Sequence, residues 1–189
     1  MNGNDTKLSK SVTVARYQTL ALAGNRKEIA RFIQERFEER YFRPVEDSCS
    51  KHGFTIMAIC CLVIEALESF YQGRADTRHA SKQMFRDFFG RVTPLKLFGY
   101  DGDWFYQDIR CGILHQAEAR GGWRVRRRGS LLDTNTRTIN ATRFLQELRK
   151  AVAAYAQQVE KDDACWKKFQ EKMKAVCANC SRSKRVIKR

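Results

Sequence analysis

The sequence predicts an all-α protein: an up-and-down bundle of about five or six helices with a small β-hairpin insertion and a basic C-terminal tail. Three observations carry this. Apolar residues recur at three- and four-residue intervals along most of the chain. Pro44 and Pro94 are the only prolines among 189 residues, so little interrupts a helix. Glycine and aspartate cluster between the periodic segments, where turns belong. The length suits one hydrophobic core and is short for two. It divides into a flexible N-terminal segment (1–24), a helical domain (25–160) and a basic extension (161–189).

The first ten residues, MNGNDTKLSK, are polar and read as frayed, with no apolar stretch of the kind that directs export. From Lys27, the residues Ile29, Phe32, Ile33, Phe37 and Tyr41 mark an amphipathic helix ending before Pro44. The next helix, Phe54 to Tyr71, is apolar nearly all round, as in the middle of a bundle, and Gly73 ends it. Its apolar run, Phe54 to Ile64, falls short of the roughly 20 residues of a membrane span and is closed by Glu65, so no membrane association is expected. A third helix covers Ala80 to Phe89. Asp103 is placed to cap a fourth, Trp104 to Ala119, which Gly121-Gly122 break. Trp123 to Asp133 alternates and reads as a surface hairpin. Asn140 caps a long fifth helix through Phe144, Leu148, Val152 and Tyr155, interrupted at Asp162-Asp163 and followed by an amphipathic segment, Trp166 to Val176.

The formal charge of +15 is unevenly spread. Residues 1–119 hold 17 Lys/Arg against 15 Asp/Glu, whereas residues 120–189 hold 19 against 6. A field concentrated in one segment attracts polyanions, which points to RNA as the partner; the alternative is a solvated, self-repelling face. Within this segment Trp123 precedes Arg124, Arg126, Arg127 and Arg128, an interleaving suited to base stacking and phosphate contacts. Strand alternation puts Arg124, Arg126 and Arg128 on one face and Trp123, Val125 and Arg127 on the other. Lys184 and Arg185 in the tail are further candidates for phosphate contact.

Several function classes find no support. The sequence has no Gly-rich phosphate loop, no nucleophile elbow and no recognisable carboxylate pair for glycoside hydrolysis. Cys177 and Cys180 are half a zinc ligand set, and Cys49 with His52 is a conceivable other half. Unliganded, reduced thiols in an intracellular protein without cofactors are the expectation.

The chemistry centres on FYQDIRCGILHQAEA, which puts Arg110 and His115 in one helix. Five steps of an α-helix separate their directions by about 140°, yet a long arginine on the flank can turn toward the same groove. Histidine moves protons near neutral pH and arginine stabilises charge on a phosphate, the two capacities needed to cleave RNA without a metal. The alternative is a surface arginine and a satisfied histidine. Asp108 is placed to orient Arg110 or the imidazole, or else is a solvent-exposed acid.

The segment Trp104 to Glu118 resembles the signature helix of the HEPN family, in which Arg is followed by four to six residues and then His, late in a helical bundle. The order of helices, basic hairpin and the INATRF helix start is also similar, over about residues 25–160. The resemblance implies a HEPN-like fold and a metal-independent endoribonuclease of toxin or anti-phage defence type, with Arg110 and His115 as its catalytic pair. It also implies a homodimer and an antitoxin or defence-system partner. Many family members carry a polar residue, often Asn, directly after the Arg, where this chain has Cys111. The family also includes inactive, nucleotide- or RNA-binding members.

Overall fold

The most apolar stretch of the chain becomes its most enclosed helix. In the computed structural model, which describes residues 3–49, 52–100 and 102–181, this is α4, Gly53–Gln72. Among the described residues it alone is long and apolar enough to cross a membrane, because the helix continues past Glu65 for two turns. More than half of that window is buried by the helices packed on it, α5 (Ser81–Arg91), α7 (Ala141–Lys161) and α8 (Asp163–Ser181). Met57, Cys60, Cys61, Val63, Ile64 and Leu67 have no exposed surface. Gly73 ends α4 in the left-handed conformation, φ 70°, with its N–H returned to the last turn. A side chain there would also strike the Glu171 carboxylate of α8.

The other long helices close the bundle around α4. α2 (Arg26–Phe37), capped by Asn25, lies along α7, whose N-cap is Asn140 as expected: its Oδ1 accepts the Arg143 N–H at 3.1 Å. Asp162 separates α7 from α8 and accepts the Cys165 N–H at 2.6 Å, a new helix start immediately after the old one ends. The protein is mostly helical with one small sheet, eight α-helices being present among the described residues.

Four expectations need correction. From residue 3 on, the N-terminal segment is packed, not frayed: Leu8 is 1% exposed, its carbonyl accepts from Arg36 and Arg40, and Thr13 caps an additional helix, α1 (Val14–Leu22). The helix from Lys27 does not stop before Pro44. It widens into a π-turn over Glu38–Phe42, in which the Arg43 N–H reaches back to the Glu38 carbonyl, and continues as α3 (Arg43–Glu46) with Pro44 in its first turn, where a missing N–H costs little. The domain does not end near residue 160, since Trp166, Phe169 and Met173 of α8 are buried in the common core. Finally, the basic segment is not a hairpin. β1 (Arg124–Arg126) runs parallel to β3 (Thr138–Asn140), and β2 (Leu132–Asp133) pairs antiparallel with β3, giving the order β1-β3-β2. The central strand is the three-residue lead-in to α7, too short to announce itself by alternation.

Two aromatic clusters fill the core. Tyr71 meets Tyr155 edge-on at 4.4 Å and Phe70 stacks on Phe169 at 5.8 Å, tying α4 to α7 and α8. The second cluster joins α5, the turn Thr93–Phe98 and α7: Phe89 packs on Phe105 at 5.0 Å, Phe98 on Phe144 at 4.8 Å, and Phe105 stacks on Phe144 at 5.4 Å. Phe105 opens the helix that carries the Arg-His motif, so this cluster anchors the candidate site.

Candidate active site

The motif helix begins as a π-turn. Over Phe105–Arg110 the hydrogen bonding is i to i+5, Cys111 N–H to Tyr106 O, and α6 (Cys111–Gln116) follows. Asp103 does not cap it through its side chain. The Asp103 carboxylate instead binds Arg86 and Lys82 of α5, at 2.5 and 2.6 Å. Those two cations hold its carboxyl at about 2, below the usual carboxylate range. Phe105 and Ile109 are buried, which sets the rotation of the helix and directs Arg110 toward α4.

Arg110 and His115 are brought together. Arg110 Nη1 lies 3.1 Å from His115 Nε2. Helical side chains lean toward the N-terminus, so His115 leans back toward the arginine, and the length of the guanidinium covers the remaining angle. A guanidinium has no acceptor, so this contact requires Nε2 to be the unprotonated nitrogen and leaves the ring N–H on Nδ1. His115 is exposed, in the last turn of the helix, which ends at Ala117 in the left-handed conformation, φ 56°.

The residue that holds Arg110 is Glu65 of α4. Its Oε1 receives Arg110 Nε at 3.0 Å and Nη2 at 2.9 Å, while its Oε2 accepts the Ser81 hydroxyl at 2.8 Å. Both charged side chains are largely shielded, at 16% and 14% exposure. Burial works against the charge on Arg110, but the Glu65 carboxylate outweighs it and raises the guanidinium pKa further. Arg110 also sits over the Tyr106 ring at 5.5 Å. Burial, then the neighbouring Cys111, pushes the Tyr106 hydroxyl up. Nε, Nη2 and one face of the guanidinium are thus held by the protein before any ligand arrives, and Nη1 is the group presented to His115.

Asp108 takes no part in this arrangement. Its carboxylate stands beside Gly121, where a built Cβ would come within 2.8 Å of Oδ2, and it contacts neither Arg110 nor His115. Glu65 has the orienting role expected of Asp108. The only signal for it in the sequence is an acid ending an otherwise apolar run. Gly112, between the two motif residues, is buried because the 118–120 loop crosses it: a Cβ there would meet the Glu118 carbonyl at 2.5 Å.

The basic stretch lies on the sheet beside the motif helix. Arg124, Arg126 and Arg128 are exposed, whereas Trp123, Val125 and Arg127 are half-buried. Trp123 stacks on Trp104 at 4.0 Å, and the Arg127 stem faces Gly53 at the start of α4. Lys184 and Arg185 lie outside the described residues. From Glu65 a groove of about 400 Å³ runs between α2 and α8, lined also by Arg36, Tyr41 and Lys172. Among the described residues no three His, Cys, Asp or Glu side chains converge as metal ligands, so Cys49 and His52 do not meet Cys177 and Cys180 in such a cluster. No protein-family model, no curated protein and no solved structure matches this chain.

Proposed function

We propose that the protein is a metal-independent endoribonuclease, of the toxin or anti-phage defence type, that cleaves RNA by attack of a 2′-hydroxyl on the adjacent phosphorus. The observation that carries this is the 3.1 Å approach of Arg110 Nη1 to an exposed His115 Nε2, with the guanidinium held from behind by Glu65. In the reaction the 2′-oxygen forms a bond to phosphorus as the bond to the 5′-oxygen breaks. A base takes the 2′-hydroxyl proton, an acid protonates the leaving oxygen, and a cation faces the charge gathering on the phosphate. His115 supplies the proton transfer and Arg110 the charge. Each chain offers one motif histidine, so a homodimer presenting two copies to one cleft supplies both acid and base.

The test is incubation of pure protein with labelled RNA in excess EDTA. The expected products end in a 2′,3′-cyclic phosphate, and Arg110→Ala and His115→Ala each lose activity by about a hundredfold or more while keeping helicity and RNA binding. A His115→Ala protein with full activity removes the assignment, and a monomer that still cuts RNA removes the shared cleft. One observation favours a second reading, an RNA- or partner-binding module without catalysis: Glu65 already neutralises the charge Arg110 would offer a phosphate. That reading expects RNA retained intact in the same assay.

A further inference from the structure

Behind the motif helix, the loop that follows it builds a second pocket of about 490 Å³, within the roughly 300–1,000 Å³ of small-ligand sites. One wall is aromatic. Trp104 and Trp123 stack at 14° between planes, and Tyr100, 64% exposed, stands at the rim. The polar groups are Asp108, Thr134 and Arg137. Gly121 and Gly122, both with positive φ, fold the loop over so that the backbone passes the Asp108 carboxylate where no side chain fits. Arg137, itself at φ 49°, donates to the Gly121 carbonyl and is fixed at the pocket's edge. Among the described residues the Asp108 carboxylate has no hydrogen-bond or ion-pair partner, while its main-chain carbonyl accepts from Arg120 at 2.9 Å.

A flat aromatic wall, a carboxylate that accepts and a guanidinium that only donates specify a planar ring with matching edges. Guanine has N1–H and N2–H side by side for the carboxylate and O6 for the arginine. Adenine and cytosine present a bare ring nitrogen where guanine has N1–H, which a carboxylate repels. Uracil has one N–H between two carbonyls. The strand leaving Trp123 then carries Arg124, Arg126 and Arg128 outward, a row of cations for the phosphates on either side of such a base. We infer that this pocket takes a guanine base of a single RNA strand, with Asp108 reading the base and the tryptophan pair supporting its face. The inference rests on the RNA reading above and adds to it the base that the protein prefers.

The experiment measures binding of the full chain to short uridine-rich oligonucleotides with one central G, inosine, A or C, all 2′-O-methylated so that they cannot be cleaved. Guanine should bind about tenfold or more tightly than adenine or cytosine, with inosine, which lacks the N2 donor, between them. Asp108→Asn should reduce guanine to the adenine level without weakening adenine, and Trp123→Leu should weaken all four alike. Equal affinity for the four wild-type complexes, or a guanine preference untouched in folded Asp108→Asn, overturns the pocket and leaves the RNA reading standing. Failure of every oligonucleotide to bind overturns both. Guanosine monophosphate binding as tightly as the oligonucleotide overturns the strand as occupant.

Discussion

Two glutamates one turn apart on α4, Glu65 and Glu68, each hold an arginine, and the two pairs have opposite characters. Glu68 has no exposed surface. It receives Arg91 at 2.9 and 3.3 Å and Gln72 at 2.9 Å, and Arg91 lies over the Tyr71 ring at 4.6 Å. That pair is satisfied within the fold. Glu65 instead gives Arg110 a single oxygen and spends the other on Ser81, leaving one arginine nitrogen directed at an exposed histidine. An Arg–Glu pair in a helical core therefore does not mark a site by itself. What distinguishes the two is the histidine: Arg110, 16% exposed, presents Nη1 to His115, whereas Arg91, 43% exposed, turns its face to Tyr71.

The contrast breaks most sharply on substitution of the two acids. Glu65→Ala should reduce RNA cleavage at least about tenfold by releasing Arg110, with a modest loss of stability. Glu68→Ala should leave the Arg110–His115 geometry intact but cost about 2 kcal/mol of unfolding free energy in urea, because a buried acceptor and the anchor of Arg91 disappear. Equal effects of the two variants on both assays would erase the distinction.

A second comparison uses two helical glycines. Gly112→Ala forces the 118–120 loop outward and should destabilise by about 1–3 kcal/mol, whereas Gly90→Ala, in α5 with open space where its Cβ would go, should stabilise by about 0.5–1 kcal/mol. Thermal melts of both variants decide it, and the expected shifts have opposite sign.

The smallest expected effect is at the start of the motif helix. Arg86 and Lys82 depress the Asp103 carboxyl to about 2. A depressed carboxyl stabilises above its unfolded pKa and loses that contribution as pH falls through the folded one. The window is therefore from about pH 4 down to about 2. Over it, wild type should lose slightly more stability than Asp103→Asn. Parallel acid titrations of the two proteins by circular dichroism are the check.

How much of this was readable from the residues depends on distance along the chain. The α4, α5 and α7 helices, the Asn140 cap and the pause at Asp162 follow from local periodicity and capping. The nearness of Arg110 and His115 was legible because one helix holds both. Glu65 was not, since it approaches Arg110 from 45 residues away in sequence and only the packing of α4 decides it. The parallel pairing of β1 with β3 was hidden for the same reason. The two π-turns were hidden because an extra residue in a helical turn is tolerated where tertiary packing demands it, without a mark in the sequence. α1 is a different case: Thr13 followed by Val14, Tyr17 and Leu20 is a cap and an apolar stripe, outweighed in reading by the polar residues before it.

Adjacent thiols at the centre of the most enclosed helix have a kinetic consequence. Burial pushes both Cys60 and Cys61 well above the ordinary cysteine range, so neither supplies thiolate to an alkylating reagent while the bundle stays closed. Their modification rate is consequently a clock for the opening of α4 against its neighbours, timing the excursions of the core from within the native state.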